Sequence, residues 1–378
     1  MSVDIKVLAA DIMYTYPAVY QRLQNEYRVA HKNGIIPSST SEEDYILMQM
    51  PLIMDERTKN FKEADINNRV SAVLSLFTKE KCAAVQDVRY PTGYRHLDEA
   101  LNGGFIPGVH YIGAISSLGK STFGLQMADQ MASRRIPVLY VSMEMSKTSL
   151  VAKLISLHLF TDVGERWAKT SSDLTSVKMN TYTDEEWDAI GEAVSAISSH
   201  ADYLTIMDAR ARVTSMDDVA RYVQDYTLAY GIAPVVIVDY LQILTPPEGM
   251  SRATDKQLVD RNVVEFRTLA AEYDIPVIVI SSFNRDNYDN PVSNKSYKDS
   301  GNIEYSSDTL IGLQLHGIGK PGFDAETAKA ASIRKIELVI LKQRNGPVGI
   351  KISYDFFTLH SYFEEQSVPT TKKVYRTN

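Results

Sequence analysis

Over residues 109–356 the chain alternates two textures, and that alternation limits the fold more than any other property. One texture is a short apolar run with little polar interruption: "VHYIGA", "IPVLYVSM", "YLTIMDA", "PVVIVDYLQIL", "IPVIVIS", "DTLIGLQL", "IELVILKQ" and "IKISYDF". A strand with one wet face alternates apolar and polar residues, whereas near-continuous runs mark strands covered on both faces. The other texture places apolar residues at three- and four-residue steps, as in "TDEEWDAIGEAVSAISS" with Thr183 as cap, "SMDDVARYVQDYTLAYG" and "RNVVEFRTLAAEYD". Helices interleaved with buried strands predict an α/β fold with a mostly parallel, twisted central sheet flanked by helices.

The first 88 residues differ. "IKVLAADIMYTYPAVYQRLQNEYRVAHKNG" is helical in spacing and ends on Asn-Gly, "PSSTSEEDYILMQM" offers capping hydroxyls, and "NNRVSAVLSLFTKEK" is again amphipathic. This predicts a helical N-terminal region and linker over 1–88, an oligomerisation or partner arm without a chemical motif, ahead of one large domain over 89–378. The net charge of −7 gives no global basic field for nucleic acid or membrane, although a ring or channel can gather its basic groups locally. Cys82 stands alone, which excludes an intramolecular disulfide and any cysteine-based zinc site. The N-terminus lacks a signal-peptide core, and no run reaches the roughly 18 apolar residues a membrane helix needs, so a soluble cytoplasmic protein is expected.

The first strand runs into "HYIGAISSLGKSTFGLQ", residues 110–126. Gly-Lys-Ser between a strand and a helix reads as a phosphate loop: backbone N–H groups at the turn and helix N-terminus carry partial positive charge that suits a polyphosphate. Lys120 would reach the β/γ-phosphates and Ser121 would offer its hydroxyl to Mg²⁺, so ATP and Mg²⁺ are the expected cofactors. The usual leading glycine is replaced by Ala114, which is still small enough for the turn. Ala114, Ser117, Gly119, Lys120, Ser121 and Thr122 are the candidate nucleotide contacts. Phe123, Met127 and Met131 mark the buried side of the following helix.

Such a loop needs a carboxylate on the metal side, and "PVVIVDYLQIL" supplies Asp239 where a buried strand emerges. Ser121 and Asp239 are therefore the candidate Mg²⁺ residues. Hydrolysis also needs a base, and "VLYVSMEMS" puts Glu144 just past the next strand. On the residues alone, a strand-end glutamate is as often structural as catalytic.

Taken in order, these segments resemble the ATPase domain of DnaB-type replicative helicases, within the RecA-like superfamily. "PTGYRHLDEALNGGF", "AISSLGKST", "SMEMS", "VDYLQIL", "SGNIEYSSD" (residues 300–308) and "KQRNGPVG" (residues 342–349) are similar to that family's segments, across roughly residues 90–363. The resemblance implies a RecA-like P-loop ATPase and DNA helicase, with Lys120 and Ser121 on phosphate and metal, Glu144 as base and Asp239 as metal-side acid. It makes Arg344 an arginine finger reaching a neighbouring subunit's nucleotide, with Lys342 its companion, and hence implies a homo-oligomer, a hexameric ring. Without the resemblance, "KQRNG" would read as a solvated hairpin turn. It further implies single-stranded DNA, at a forked duplex, held by the loop "NPVSNKSYKDSGN" through Lys298, Asp299 and Gly301, with Lys295 and Arg285 as additions. Movement would be 5′–3′, and a helicase loader or primase is the implied protein partner.

Two departures stand out. "SSFNR" (residues 281–285) places Ser282 where the family commonly has a glutamine thought to link γ-phosphate state to DNA contact, leaving Asn284 and Arg285 as polar candidates for that relay. This keeps open a RecA-like ATPase that loads or remodels without unwinding; a third reading, a nucleotide-gated scaffold, is opposed by intact Lys120, Glu144 and Arg344. Residues 1–88, in turn, do not look like the family's primase-engaging collar, which suits a phage, plasmid or other mobile-element version.

Overall fold

In the computed structural model, residues 17–42, 44–46, 48–49, 88–208, 215–239, 255–284, 290–297 and 300–367 are described. The chain divides into two compact units, Met1–Asp87 and Val88–Asn378. In the first, helix α1 (Pro17–Lys32) buries Leu23, and the Tyr27 ring packs on Tyr45 while its hydroxyl donates to the Thr40 carbonyl at 3.0 Å. "NNRVSAVLSLFTKEK" lies outside the described residues.

The second unit is built on a nine-stranded sheet in the order β3-β2-β4-β5-β1-β6-β7-β8-β9. β1 (Gly108–Ala114), β2 (Val138–Ser142), β3 (Leu204–Asp208), β4 (Val235–Asp239), β5 (Pro276–Ser282) and β6 (Thr309–Leu315) pair in parallel. Their apolar runs are explained by position: every residue of β2, β4 and β6 is buried. β7 (Ile333–Gln343), β8 (Lys351–Phe357) and β9 (Tyr362–Glu365) extend the sheet antiparallel. Burial along β8 alternates, as expected of a strand with one wet face.

Eight helices of this unit are described: α2 (Arg95–Ala100), α3 (Lys120–Ser133), α4 (Lys147–His158), α5 (Asp184–Ser198), α6 (Met216–Tyr230), α7 (Asp255–Tyr273), α8 (Ser300–Ser306) and α9 (Ala325–Ala330). Thr183 caps α5 in a reciprocal box with Glu186, as its sequence predicts, and Ser215 with Asp218 does the same for α6. α4 and the short edge strand β9 are elements the sequence patterns do not announce. No described helix is long and apolar enough to cross a membrane.

α3 matters most for the site. Phe123, Met127 and Met131 are wholly buried, as their spacing predicts. Phe123 stacks on Tyr94 with ring centroids 4.6 Å apart and meets Phe363 of β9 edge-on at 5.3 Å. Buried Gln126 clasps the same strand: its amide donates to the Phe363 carbonyl at 2.9 Å and accepts from the Phe363 N–H at 2.8 Å. Both amide groups are thereby satisfied away from water, which fixes the helix against the antiparallel end of the sheet.

Candidate nucleotide-binding site

The phosphate loop hangs from the carboxyl end of β1. Ala114 is the last strand residue, fully buried and in register with Ser282 of β5, so this position is still strand and does not take part in the turn. Ser117 and Gly119 make the turn with φ of 63° and 91°. Gly119 is forced for a second reason: a Cβ there would lie 2.8 Å from both the Phe356 and Phe363 rings. The loop thus rests on an aromatic floor, a reason for this glycine that the sequence does not supply. α3 starts at Lys120 with no side-chain cap, which leaves first-turn N–H groups for an anion.

Around this loop lies an open cleft of about 440 Å³, lined among others by Lys120, Ser121, Thr122, Glu144, Lys153 and Ser282. Lys120 Nζ rests on the Ile115 carbonyl at 3.3 Å, across its own loop. Glu144 reaches the cleft because a tight turn directs it outward. The Ser142 hydroxyl donates to the Met145 carbonyl at 2.8 Å, Met145 N–H donates back at 3.1 Å, and Glu144 between them is exposed.

Asp239 ends β4 directly beside Ser142 of β2 and is fully buried. Its Oδ2 accepts from the Tyr140 hydroxyl at 2.9 Å, while Oδ1 is sealed from solvent with no partner at hydrogen-bond distance among the described residues. Burial pushes this carboxyl above its ordinary value, against the pull of the Ser121 and Tyr140 hydroxyls and the Lys120 charge. A buried acceptor left open beside Ser121 and Lys120 is the environment a divalent cation would complete, so these residues fit Mg²⁺.

Two cations in the cleft carry no motif. Lys153 of α4 places Nζ 3.3 Å from Thr122 Oγ1 and 3.4 Å from Ser361 Oγ, and burial holds its pKa below the ordinary lysine value. Arg334, at the start of β7, donates Nη1 to the Ser117 carbonyl at 2.5 Å, while its buried Nε lacks a partner among the described residues. Both come from segments remote in sequence from the loop; only the fold brings them in.

Lys342 and Arg344 are elsewhere. β7 runs antiparallel to β6, which pairs in parallel with β1, so residues 342–344 lie at the amino end of β1. At about 3.3 Å per residue that is roughly 20 Å from the phosphate loop of the same chain. Arg344 is 58% exposed, with Nε 3.3 Å from Asp308 Oδ1, and its N–H donates to the Asp308 carbonyl at 2.9 Å. Asp308 is itself fixed, since Oδ2 accepts from Val109 N–H at 2.9 Å over Gly108, where a Cβ would approach that oxygen to 2.4 Å. Lys342 is turned inward, donating to the Ser307 carbonyl at 2.6 Å and to the Glu304 carbonyl at the C-terminal end of α8.

Of the proposed DNA residues, Gly301 lies in the first turn of α8 and Lys295 is exposed in the turn Asn294–Ser296, whereas Arg285, Lys298 and Asp299 lie outside the described residues. This turn is tied to the nucleotide side. Asn284 N–H donates to the Ser296 carbonyl at 2.9 Å, Asn284 Nδ2 to the Tyr297 carbonyl at 3.4 Å, and Phe283 packs edge-on against Tyr297 at 5.0 Å.

A Gly-Lys-Ser loop at the end of the central parallel strand β1, with an acid at the end of β4 on the far side of β5, defines a P-loop nucleotide-binding domain of RecA-like architecture. One solved structure, described as an ATPase domain, superposes with a TM-score of 0.64 at 20% identity, covering 79% of this chain and 98% of that one. A solved DnaB-like replicative helicase, described with its interactions with primase, gives a TM-score of 0.62 at 20% identity, covering 85% and 76%. Among curated proteins, the replicative DNA helicase DnaB of Geobacillus stearothermophilus is 26% identical over 295 residues, and the replicative DNA helicase DnaC of Bacillus subtilis 26% over 289. Each alignment takes in 74% of this chain and 58% of the relative's length. Residues 90–365 match the DnaB-like helicase C-terminal domain, and the chain belongs to that family.

Proposed function

We propose that this chain is the motor of a replicative DNA helicase: it hydrolyses ATP with Mg²⁺ and, as a homo-oligomeric ring, a hexamer, moves 5′–3′ on single-stranded DNA to open a forked duplex. One observation carries the reading. The phosphate loop and Arg344 lie at opposite ends of the same sheet, so each protomer holds two half-sites, and only head-to-tail contact unites them. Lys120 binds the β/γ-phosphates, Ser121 and Asp239 hold the metal, and the loop amides with Ser117 and Thr122 orient the nucleotide. Glu144 takes the proton of the attacking water. Bound Mg²⁺ neutralises phosphate charge. Arg344 of one protomer stabilises the charge developing in its neighbour's site, and Lys342 sets the end of α8 beside it.

Lys298, Asp299 and Gly301, with Lys295 and Arg285, contact the DNA backbone. The bonds from Asn284 to Ser296 and Tyr297 support a relay between nucleotide and DNA that does not depend on a glutamine at Ser282. Residues 1–88 serve as an oligomerisation or partner arm, and a loader or primase is the partner class, in keeping with the primase described for the solved relative. The protein works in the cytoplasm.

Two measurements test this. Mixing Arg344→Ala with Lys120→Ala subunits should restore hydrolysis that neither has alone. A forked-duplex assay should show ATP-dependent strand separation. DNA-stimulated hydrolysis without separation would instead favour a remodelling or loading ATPase, the reading that the short side chain of Ser282 in the cleft supports.

A further inference from the structure

Behind the phosphate-loop helix, and away from the cleft, three side chains converge. Asp129 of α3, His158 at the end of α4 and His200 in the turn before β3 are 4%, 8% and 7% exposed. His158 Nε2 lies 3.0 Å from Asp129 Oδ2, and His200 Nε2 lies 2.7 Å from Asp129 Oδ1. One ligand atom from each residue falls within 4.8 Å of the other two.

The outer edges of both rings are also occupied. His158 Nδ1 is 2.6 Å from Asp162 Oδ2, and His200 Nδ1 is 3.2 Å from Ser199 Oγ. A neutral imidazole has one N–H, so a ring held between two carboxylates turns a lone pair toward one of them. A cation on Nε2 removes that repulsion, and it must be either a proton or a metal ion. Three features favour the metal. Both imidazoles turn a nitrogen to the same buried carboxylate, with one ligand atom of each residue within 4.8 Å of the other two, the donor set suits Zn²⁺, and an outer acceptor on each Nδ1 is how metal-bound histidines are oriented.

We infer that Asp129, His158 and His200 form a structural site for a divalent transition metal, Zn²⁺ by its chemistry, with Asp162 and Ser199 orienting the two imidazoles. The site is too buried to admit a substrate. Its ligands come from the phosphate-loop helix, from the helix that follows Glu144 and from the approach to β3, so the ion cross-links three segments behind the cleft. No cysteine is needed, and the pattern is invisible in sequence because the ligands are 29 and 42 residues apart.

The test uses the full chain stripped of metal by chelator and titrated with Co²⁺. One equivalent should bind with the visible d–d absorption of a low-coordinate, nitrogen-ligated ion, and Zn²⁺ should displace it. Asp162→Asn, at a half-exposed position, should weaken binding by about 10–100-fold, the usual cost of losing an outer partner. His200→Gln should abolish the band, while Asp239→Asn should leave it intact, which separates this site from the Mg²⁺ site. The inference fails if the wild-type chain binds no stoichiometric Co²⁺, if the band survives His200→Gln, or if Asp162→Asn leaves the affinity unchanged. The trio would then be a hydrogen-bonded imidazolium network only.

Discussion

If Arg344 completes a neighbour's site as proposed, removing its guanidinium should separate catalysis from folding and from nucleotide binding. The side chain is 58% exposed and its ion pair with Asp308 is an exposed-end contact at 3.3 Å, so Arg344→Ala should cost at most about 1 kcal/mol of stability. The backbone bond to Asp308 survives the substitution. The chain's own phosphate loop is roughly 20 Å away along β1, so nucleotide affinity should hold. A finger supplied to a neighbour is worth about 10³–10⁵ in rate, or about 4–7 kcal/mol at the transition state. The barrier effect therefore exceeds any folding effect several-fold. Turnover at saturating ATP, affinity for a fluorescent ATP analogue and Tm should be measured on one preparation. Turnover should collapse while the other two barely move. Near-wild-type turnover, or a loss that tracks a fall in Tm, would refute the reasoning.

Asp239→Asn should abolish Mg²⁺-dependent hydrolysis yet raise Tm at neutral pH. Because burial raises the folded pKa of Asp239 above 3.8, the native state binds its proton more tightly than the unfolded chain, and this group's stability contribution is lost as pH rises through the folded value. The variant should flatten that part of the Tm–pH curve, and a lower Tm at neutral pH would contradict the argument. Gly119→Ala should lose turnover and about 1–3 kcal/mol of stability in a denaturant melt, since its methyl would press on Phe356 and Phe363 at a positive φ. Lys298→Ala should lower the slope of log affinity against log salt for single-stranded DNA by about 0.7, with basal hydrolysis unchanged. An unaltered slope would remove Lys298 from the interface.

Legibility in the sequence follows the range of the forces involved. β2, β4 and β6 are readable because burial on both faces demands unbroken apolar residues, and α5 because its cap, Thr183, lies three residues from its partner. β9 is not, since four residues of which only Phe363 is buried carry little pattern and their place is set by Gln126, far away in the chain. The loop residues Lys120 and Ser121 and the acid Asp239 are legible from motif chemistry. Lys153 and Arg334 stay hidden because nothing local distinguishes a cleft-lining cation from a solvated one. Arg344 becomes a candidate only through family resemblance, for on one chain it faces outward beside Asp308.

β7 carries Arg334 on the loop backbone at one end and leads straight into Arg344 at the other. Nine residues of ribbon separate them, about 34 Å at full extension, paired with both β6 and β8 over Ile336–Val339, with β8 alone before that stretch and with β6 alone after it. In a ring, such a ribbon would join successive fuel chambers in series, so occupancy in one chamber would bear on the group lent to the next.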